Sequence, residues 1–445
     1  MITATVLVLA LAAVTLAQQC PGFSELNRES YRLYEAGQWD SVILVGRQAL
    51  GQGIDFYYLR MRMGIACYEL HHYRKAAAHF DQALEFNQED PVALEYLYFA
   101  RLFAGQDALA DHVRKQFRGD LAKKLPREKA EFADRAGAEF LYSKGLNSEI
   151  LDDPGLSFPA GQAGAQYLAT HFINASVWLS SRFAPGVSLN QAFTFLAKNN
   201  YMYYTDGLIA LNVPEQRVRQ TQYCITPSFT TASGFTAAPV FHLLYIRYQV
   251  PVASGMQYQG GSGGFSLQYR DEWDYVTGLT LRQGLGRVDL QLGGWYATLN
   301  NREQVQGRLG LTWFPLGNLD LYAGAYLNGQ WETAGPATVS RFIPELHLGF
   351  ALFRKLWLDV NGTAGKMSDY LEQNGSVVFN SFSEVIRSKL NFTATLPVTE
   401  KGSLVYVGAR WTTHESRFEP FDTSLETGNP ISYHAISIYG GISWK

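Results

Sequence analysis

From about residue 132 to the C-terminus, large apolar side chains recur at every second position. In Phe342 to Leu352 the even positions are large and apolar apart from Pro344, while the odd positions carry Glu345, His347, Gly349 and Ala351. Leu319, Leu321, Ala323, Ala325 and Leu327 alternate with Asp320, Tyr322, Gly324, Tyr326 and Asn328; Val405, Val407, Ala409 and Trp411 alternate with Tyr406, Gly408, Arg410 and Thr412. A two-residue period puts successive side chains on opposite faces of a strand, so each segment has one greasy face and one polar or small face. Past residue 20 no run approaches the roughly 18 apolar residues of a membrane helix, which excludes a polytopic helical membrane protein. The alternation predicts about 14 antiparallel strands of roughly 10 to 15 residues, the length of transmembrane strands.

The connections supply an orientation. Tight turns at Ala184-Pro185-Gly186, Ser233-Gly234, Gly284-Leu285-Gly286, Pro315-Leu316-Gly317-Asn318, Arg354-Lys355 and Glu400-Lys401-Gly402 alternate with longer connections near 144–163, 204–220, 250–271, 366–382 and 414–430. Outer-membrane barrels have short periplasmic turns and long external loops, and an even strand count returns both ends to the periplasm. A soluble sandwich or lipocalin-like barrel would hide its apolar face inside and use strands of about five or six residues. A propeller would need a blade-length repeat, and none appears past residue 130. Charged residues make up only 17% while aromatics reach 14%, and the formal charge of −3 argues against a nucleic-acid partner.

The front of the chain reads differently. Val6 to Leu16 is an apolar stretch of signal-peptide length, with Thr15 and Ala17 as small residues for cleavage after Ala17, although no Lys or Arg precedes Arg28. Cys20 follows Gln18 and Gln19, which does not suit lipid modification, and Cys67 and Cys224 form neither a disulfide framework nor a metal motif. Between Phe23 and Phe117 a period of 34 appears: Val42, Ala76 and Ala110 fall in register, Ala49-Leu50 returns as Ala83-Leu84, Trp39 as Tyr73, and Gly37 as Gly105 two periods on. The best copy, Tyr57 to Asp90, carries Gly64, Tyr73, Ala76, Phe80, Ala83 and Leu84. These residues resemble tetratricopeptide repeats, in which small residues let paired helices approach and aromatics fill the gap. In the third copy Asp107 and Arg114 stand where aromatics are usual.

The expected organisation is a leader at 1–17, a helical solenoid of about three repeats at 18–120, a charged linker at 121–131 (Lys123 to Lys129 at its heart) and a barrel at 132–445. Altogether this resembles the tetratricopeptide-repeat outer-membrane β-barrel proteins of Gram-negative bacteria. More distantly it is similar to the exopolysaccharide export porins, which carry many more repeats. The closing Ile442-Ser443-Trp444-Lys445 resembles the aromatic-ended strand read by the barrel-assembly machinery, with Lys445 following the aromatic. The resemblance implies outer-membrane lipid around the barrel and a periplasmic protein or peptide bound by the repeats.

If Leu346, Leu348, Leu321 and Val407 face lipid, the opposite parity directs Arg182, Asp289, Arg308, Asp320, Arg341, Glu345, His347, Asp359, Arg387, Lys389 and Arg410 into the lumen. The two readings of that set are a polar pore favouring anionic or sugar-like solutes and a lumen plugged by internal ion pairs. Gly260-Gly261-Ser262-Gly263-Gly264 satisfies the letters of a nucleophile elbow but lacks its strand-to-helix setting, and His171, His242 and His347 single out no triad. No cofactor or metal is expected. The function expected is a non-enzymatic, porin-like channel or transport component, with a plugged scaffold subunit of an envelope export machine as the alternative and a lipid hydrolase as the weakest case.

Overall fold

A computed structural model describes residues 22–125, 130–151, 161–208, 210–254, 264–334, 337–353, 355–378, 384–399, 402–422 and 427–445. The expected leader, Cys20, most of the glycine-rich 260–264 motif, Arg354, Glu400 and Lys401 lie outside the described residues. The chain forms two compact units, 1–126 and 127–445.

The first unit contains helices α1 (Phe23–Glu35), α2 (Trp39–Gly51), α3 (Tyr57–Glu69), α4 (Tyr73–Phe86), α5 (Pro91–Phe103), α6 (Asp107–Arg114) and α7 (Gly119–Lys124). Helix α5 starts where Asp90 accepts a hydrogen bond from the Ala93 amide at 2.7 Å and Pro91 supplies the first helical residue, two ordinary start signals. The chain turns through left-handed residues at Gly37 (φ 65), His71 (φ 58) and Gly105 (φ 71), so one turn geometry recurs every 34 residues. Close approach explains the small residues: a Cβ on Gly64 would stand 2.6 Å from the Phe80 ring. Ala49, Ala76, Phe80, Ala83 and Ala110 are fully buried, Trp39 packs partly buried on this core, and Trp39 and Tyr73 stand in edge contact with Tyr34 and Tyr68 at 5.8 and 5.4 Å.

The second unit is one closed antiparallel sheet. Its long strands are β1 (Glu131–Gly145), β2 (Ala163–Ala184), β3 (Val187–Asp206), β4 (Ala210–Thr230), β5 (Phe235–Ser254), β6 (Gly264–Leu285), β7 (Val288–Leu299), β8 (Arg302–Trp313), β9 (Leu321–Ala334), β10 (Ala337–Leu352), β11 (Leu356–Met367), β14 (Glu384–Pro397), β15 (Leu404–Ser416) and β17 (Ile431–Trp444). A one-turn helix, α8 (Ser148–Leu151), follows β1; β12 (Leu371–Glu372) and β13 (Val377–Val378) form a separate ribbon, and β16 (Glu419–Pro420) adds to β2. Each long strand pairs with its successor, and β17 returns to β1 with Ala136 opposite Trp444 and Gly145 opposite Ala435, closing fourteen staves. Strand spacing of about 4.8 Å and a tilt near 40° put the wall of such a ring about 14 Å from its axis. Side chains alone do not fill that width.

The outer surface is apolar by alternation. On β5 the outward residues run Phe235, Ala237, Pro239, Phe241, Leu243 and Tyr245, and the next is Arg247, paired with Asp271 at 3.6 Å. At about 3.4 Å per residue and the same tilt, Phe235 to Tyr245 spans about 26 Å, matching the roughly 25 Å apolar band of outer-membrane barrels. Exposed tryptophans mark both borders, Trp273, Trp331 and Trp411 toward the long connections and Trp313 and Trp444 toward the tight turns.

Two expectations are corrected. Strands β2 to β6 are 20–22 residues long, because much of the segments read as loops at 204–220 and 250–271 is strand, at 204–206, 210–220, 250–254 and 264–271. Their polar residues lie beyond the apolar band, where alternation of greasy and polar side chains no longer signals a strand. Of the connection at 366–382, expected outside, residues 368–378 turn inward.

Candidate functional site

The site is the lumen and the segment that crosses it. Between β11 and β14, residues Ser368 to Val378 enter the barrel and form the β12–β13 ribbon around a tight tip. Apolar anchoring comes from Leu371 and Val378, 1% and 0% exposed, which pack on Val218, Leu244, Ile246, Val276 and Trp295 of the opposite wall. The backbone is satisfied by glutamines. Gln220 and Gln222 both donate to the Val378 carbonyl at 3.0 Å, Gln304 to Asp369 at 2.9 Å, Gln306 to Leu371 at 2.9 Å and Gln330 to Ser368 at 2.7 Å. Gln306 also accepts from the Leu371 amide at 3.1 Å, and His242 Nδ1 donates to the Gly375 carbonyl at 3.0 Å. These groups are buried, so each pairing avoids the cost of an orphaned polar atom.

The tip is conformationally tight. Gln373, Asn374 and Gly375 are consecutively left-handed at φ 46, 61 and 82, a region costly for the first of them. Gly375 is the residue the geometry requires, since a Cβ there would also stand 2.8 Å from the Trp295 ring.

Toward the long connections a buried clamp ties opposite sides together. Lys198 on β3 meets Glu384 on β14 at 2.9 Å; Glu384 also pairs with His414 at 2.8 Å and accepts the Tyr433 hydroxyl. β16 adds a strap across this end, with Glu419 opposite Ala165. Toward the tight turns lie three adjoining chambers of about 580, 480 and 460 Å³. Gln291 borders all three, and Asn374 of the tip borders the two smaller ones.

The structure places the expected lumen residues as follows. Asp289, His347 and Asp359 line the largest chamber; Arg308, Glu345, Lys389 and Arg410 line the second, which His347 also borders. They are held by partners: Arg282 bonds Asp289, Tyr322 donates to Asp359, Arg308 meets Glu345 at 3.2 Å, Lys389 meets Glu372, and Arg410 donates to Asn391 at 2.6 Å. Arg341 meets Glu332 at 2.6 Å beside Arg302 at 2.7 Å, higher in the barrel, and Arg182 meets Asp134. Asp320 is not in mid-strand; it closes the β8–β9 turn with Asn318, whose side-chain oxygen accepts from its amide at 3.0 Å. Arg387 does not point inward. A bulge between Ile386 and Ser388 shifts the alternation by one, and Arg387 bonds Glu415 on the outer wall at 2.7 Å.

Sequence reasoning missed the glutamines because it searched for charge, and it missed Glu384 of the clamp because the bulge between Ile386 and Ser388 reverses that residue's parity. The signal was there in Gln220-Thr221-Gln222 and Gln304-Val305-Gln306, where two-residue spacing puts both amides on the lumen face. Among the described residues no group of three or more His, Cys, Asp or Glu could hold a metal.

No family model and no curated protein matches the sequence. Among solved structures, the chain is similar in form to outer-membrane barrels. One is the TodX monoaromatic hydrocarbon channel (a ΔS2S3 mutant), at TM-score 0.42 and 8% identity over 74% of this chain and 94% of that one. A Pseudomonas aeruginosa FadL homologue gives 0.39 and 7% over 69% and 88%, and Salmonella typhi OmpF gives 0.28 and 10% over 70% and 97%. At such scores the likeness adds nothing to the barrel already seen in the strand pairing.

Proposed function

We propose that this chain is an outer-membrane β-barrel, shut at rest by its own β11–β14 connection, that conducts polar solutes when that connection withdraws. The helical unit would serve as a periplasmic docking module for a protein or peptide. The carrying observation is the set of glutamine-to-carbonyl bonds on β4, β8 and β9. Such neutral bonds contribute about 0.5–1.5 kcal/mol each, and water can replace them, so they suit a segment that seats and leaves. The strained tip favours the same reading, because its release offsets part of the cost of withdrawal. Preference for anions has no support in this lumen, since its cations are matched by carboxylates and amides. Placement in lipid is supported by the apolar band between two tryptophan rings.

Docking is supported by the turn recurring every 34 residues and by the residues at repeat positions, Gly64 beneath Phe80 foremost. Because β1 begins and β17 ends at the tight-turn end of the barrel, an outer-membrane orientation would put residue 130, and the helices before it, on the periplasmic side.

The Lys198–Glu384 clamp and the β16 strap favour a second reading, a permanently closed barrel that anchors an envelope assembly. Planar-bilayer recording separates the two. The full chain should show a closed state with brief openings, and replacing residues 369–378 by a short Gly-Ser link should give steady conductance. A noiseless closed barrel after that replacement would defeat the conduit and leave the anchor. Docking is tested apart from this, by isolating a stoichiometric partner from detergent-extracted membranes and losing it when residues 22–125 are deleted.

A further inference from the structure

The geometry points to a binding site for an uncharged amphiphile, a planar apolar ring joined to a hydroxyl-bearing part, in the two larger chambers on the turn side of the crossing segment. The inference deepens the reading above in that it takes the lumen as built for a solute, but it does not depend on the segment's moving.

The largest chamber, about 580 Å³, is walled by Phe314, Tyr322, Tyr326 and Trp357, with Leu319 and Leu404 between them. Two of these rings lie flat on the wall because their neighbours are glycines. A Cβ on Gly349 would stand 2.1 Å from the Tyr322 ring, and one on Gly310 2.0 Å from Tyr326. Arg308 already stands over the Tyr326 ring at 4.1 Å, so the stacking surface for an apolar plane is the face of Tyr322, beside Phe314 and Trp357. Cavities of this size with mostly apolar walls and a few fixed polar groups are those that take small organic ligands.

The second chamber, about 480 Å³, is polar, with Asn361, Asn391, Thr393 and Tyr406 among its walls. Its charges cancel. Arg308 faces Glu345, Lys389 faces Glu372, and Glu139 accepts the Tyr406 hydroxyl at 2.8 Å while Arg410 bonds Asn391. A charged ligand would have to break a pair and leave a partner exposed to a low-dielectric wall, which costs more than it returns.

What remains unpartnered here is suited to hydroxyls. The hydroxyl of Tyr370, a residue only 7% exposed, has no hydrogen-bond partner among the described residues, and neither does Nε of Arg308, 9% exposed. Both residues line this chamber, and leaving such groups unpaired costs about 1–3 kcal/mol each, a penalty that a ligand hydroxyl reaching either one removes. His347 and Tyr326 border both chambers, so a ligand whose ring sits in the first and whose hydroxyls sit in the second passes between them.

The test uses the full chain in an amine-oxide detergent, free of sugar headgroups, and equilibrium dialysis of three probes: 4-nitrophenyl β-D-glucopyranoside, glucose and 4-nitrobenzoate. The glucoside should saturate at one per barrel and bind at least about tenfold more tightly than either fragment, as expected if both chambers contribute. Leu404→Trp, which fills the apolar chamber, should weaken it about tenfold or more, and the shape-preserving Tyr370→Phe should weaken it about fivefold. Heat-dependent gel mobility shows that each variant is folded. The proposal is overturned by non-saturable uptake, by nitrobenzoate binding as well as the glucoside, or by unchanged affinity in folded Tyr370→Phe. Absence of saturable binding in the full chain, with steady conductance still seen after the 369–378 replacement, would sink this inference and spare the conduit.

Discussion

Substituting one lipid-facing residue and its lumen-facing neighbour on the same stave tests the placement on which the functional reading depends. Leu346 is 65% exposed on the outer face of β10, between the outward residues Phe342 and Leu352. Four residues separate it from the first and six from the second, which at about 3.4 Å per residue and a 40° tilt puts it roughly 10 and 15 Å from the two edges of the band. That is close to the midplane. There an Arg on the lipid face costs about 2–4 kcal/mol, a shift of about 30-fold to several hundred-fold in the folding equilibrium. His347 is the next residue and borders two water-accessible chambers, so Arg at that position should cost less than about 1 kcal/mol. The assay is reversible folding into phosphocholine vesicles across a urea series, followed by tryptophan emission and gel mobility. If Leu346→Arg costs no more than His347→Arg, or folds into a soluble species without lipid, the outer face is not wetted by acyl chains and the argument fails.

Other consequences can be measured separately. Glu384→Ala strands the 9%-exposed Lys198 side chain without its carboxylate and should destabilise the barrel by about 3–5 kcal/mol, much of it recovered by also making Lys198→Met, in the same urea series. In the helical unit, burial and then the charges of Arg60, Lys75 and Arg47 lower His79 from 6.5 to about 4. The folded unit therefore binds fewer protons than the unfolded one across that window. Its stability is intact above about pH 6.5 and falls by about 3 kcal/mol as pH drops to about 4, with the buried Asp81 carboxyl, shifted upward, offsetting part of this at the acid end. Helix melting followed at 222 nm should show this slope, and His79→Gln should flatten it. Gly64→Ala drives a methyl into the Phe80 ring and should lower the same melting transition more than Phe80→Leu does, an order that would be reversed if the two helices were not in close contact.

The barrel was legible because its physics is repetitive. One period, sustained over three hundred residues, sets the strand class, and turn signals divide it into about fourteen staves. The helical front was legible for the same reason, through the recurrence of Val42, Ala76 and Ala110. What escaped were events that occur once. The bulge at Ile386 and Ser388 reverses one arginine and leaves no trace in composition. The crossing segment reads as a polar external loop, because a loop inside a water-lined barrel needs the same residue types as one outside. Only its partners distinguish the two, and those lie on β4, β5, β7, β8 and β9, far away in sequence. Strands β2 to β6 were read short because, beyond the membrane, both faces of a strand are polar.

That difference in stave length gives the barrel a slanted rim. With 20–22 residues in each of β2 to β6 against 12 in β7, β8 and β11, one flank climbs about 20 Å higher than the other at the same rise and tilt. The headgroup layer on one side of a bilayer is only about 5 to 7 Å deep, so the tall flank stands clear of it and the low flank barely does. Anything arriving from the loop side meets a parapet over about a third of the circuit, five staves of fourteen, bearing Arg217, Arg219, Arg247 and Arg270 on three of them, and a lower wall over the rest. Approach to this mouth is one-sided, and the direction from which traffic comes is decided by the wall before any gate is reached.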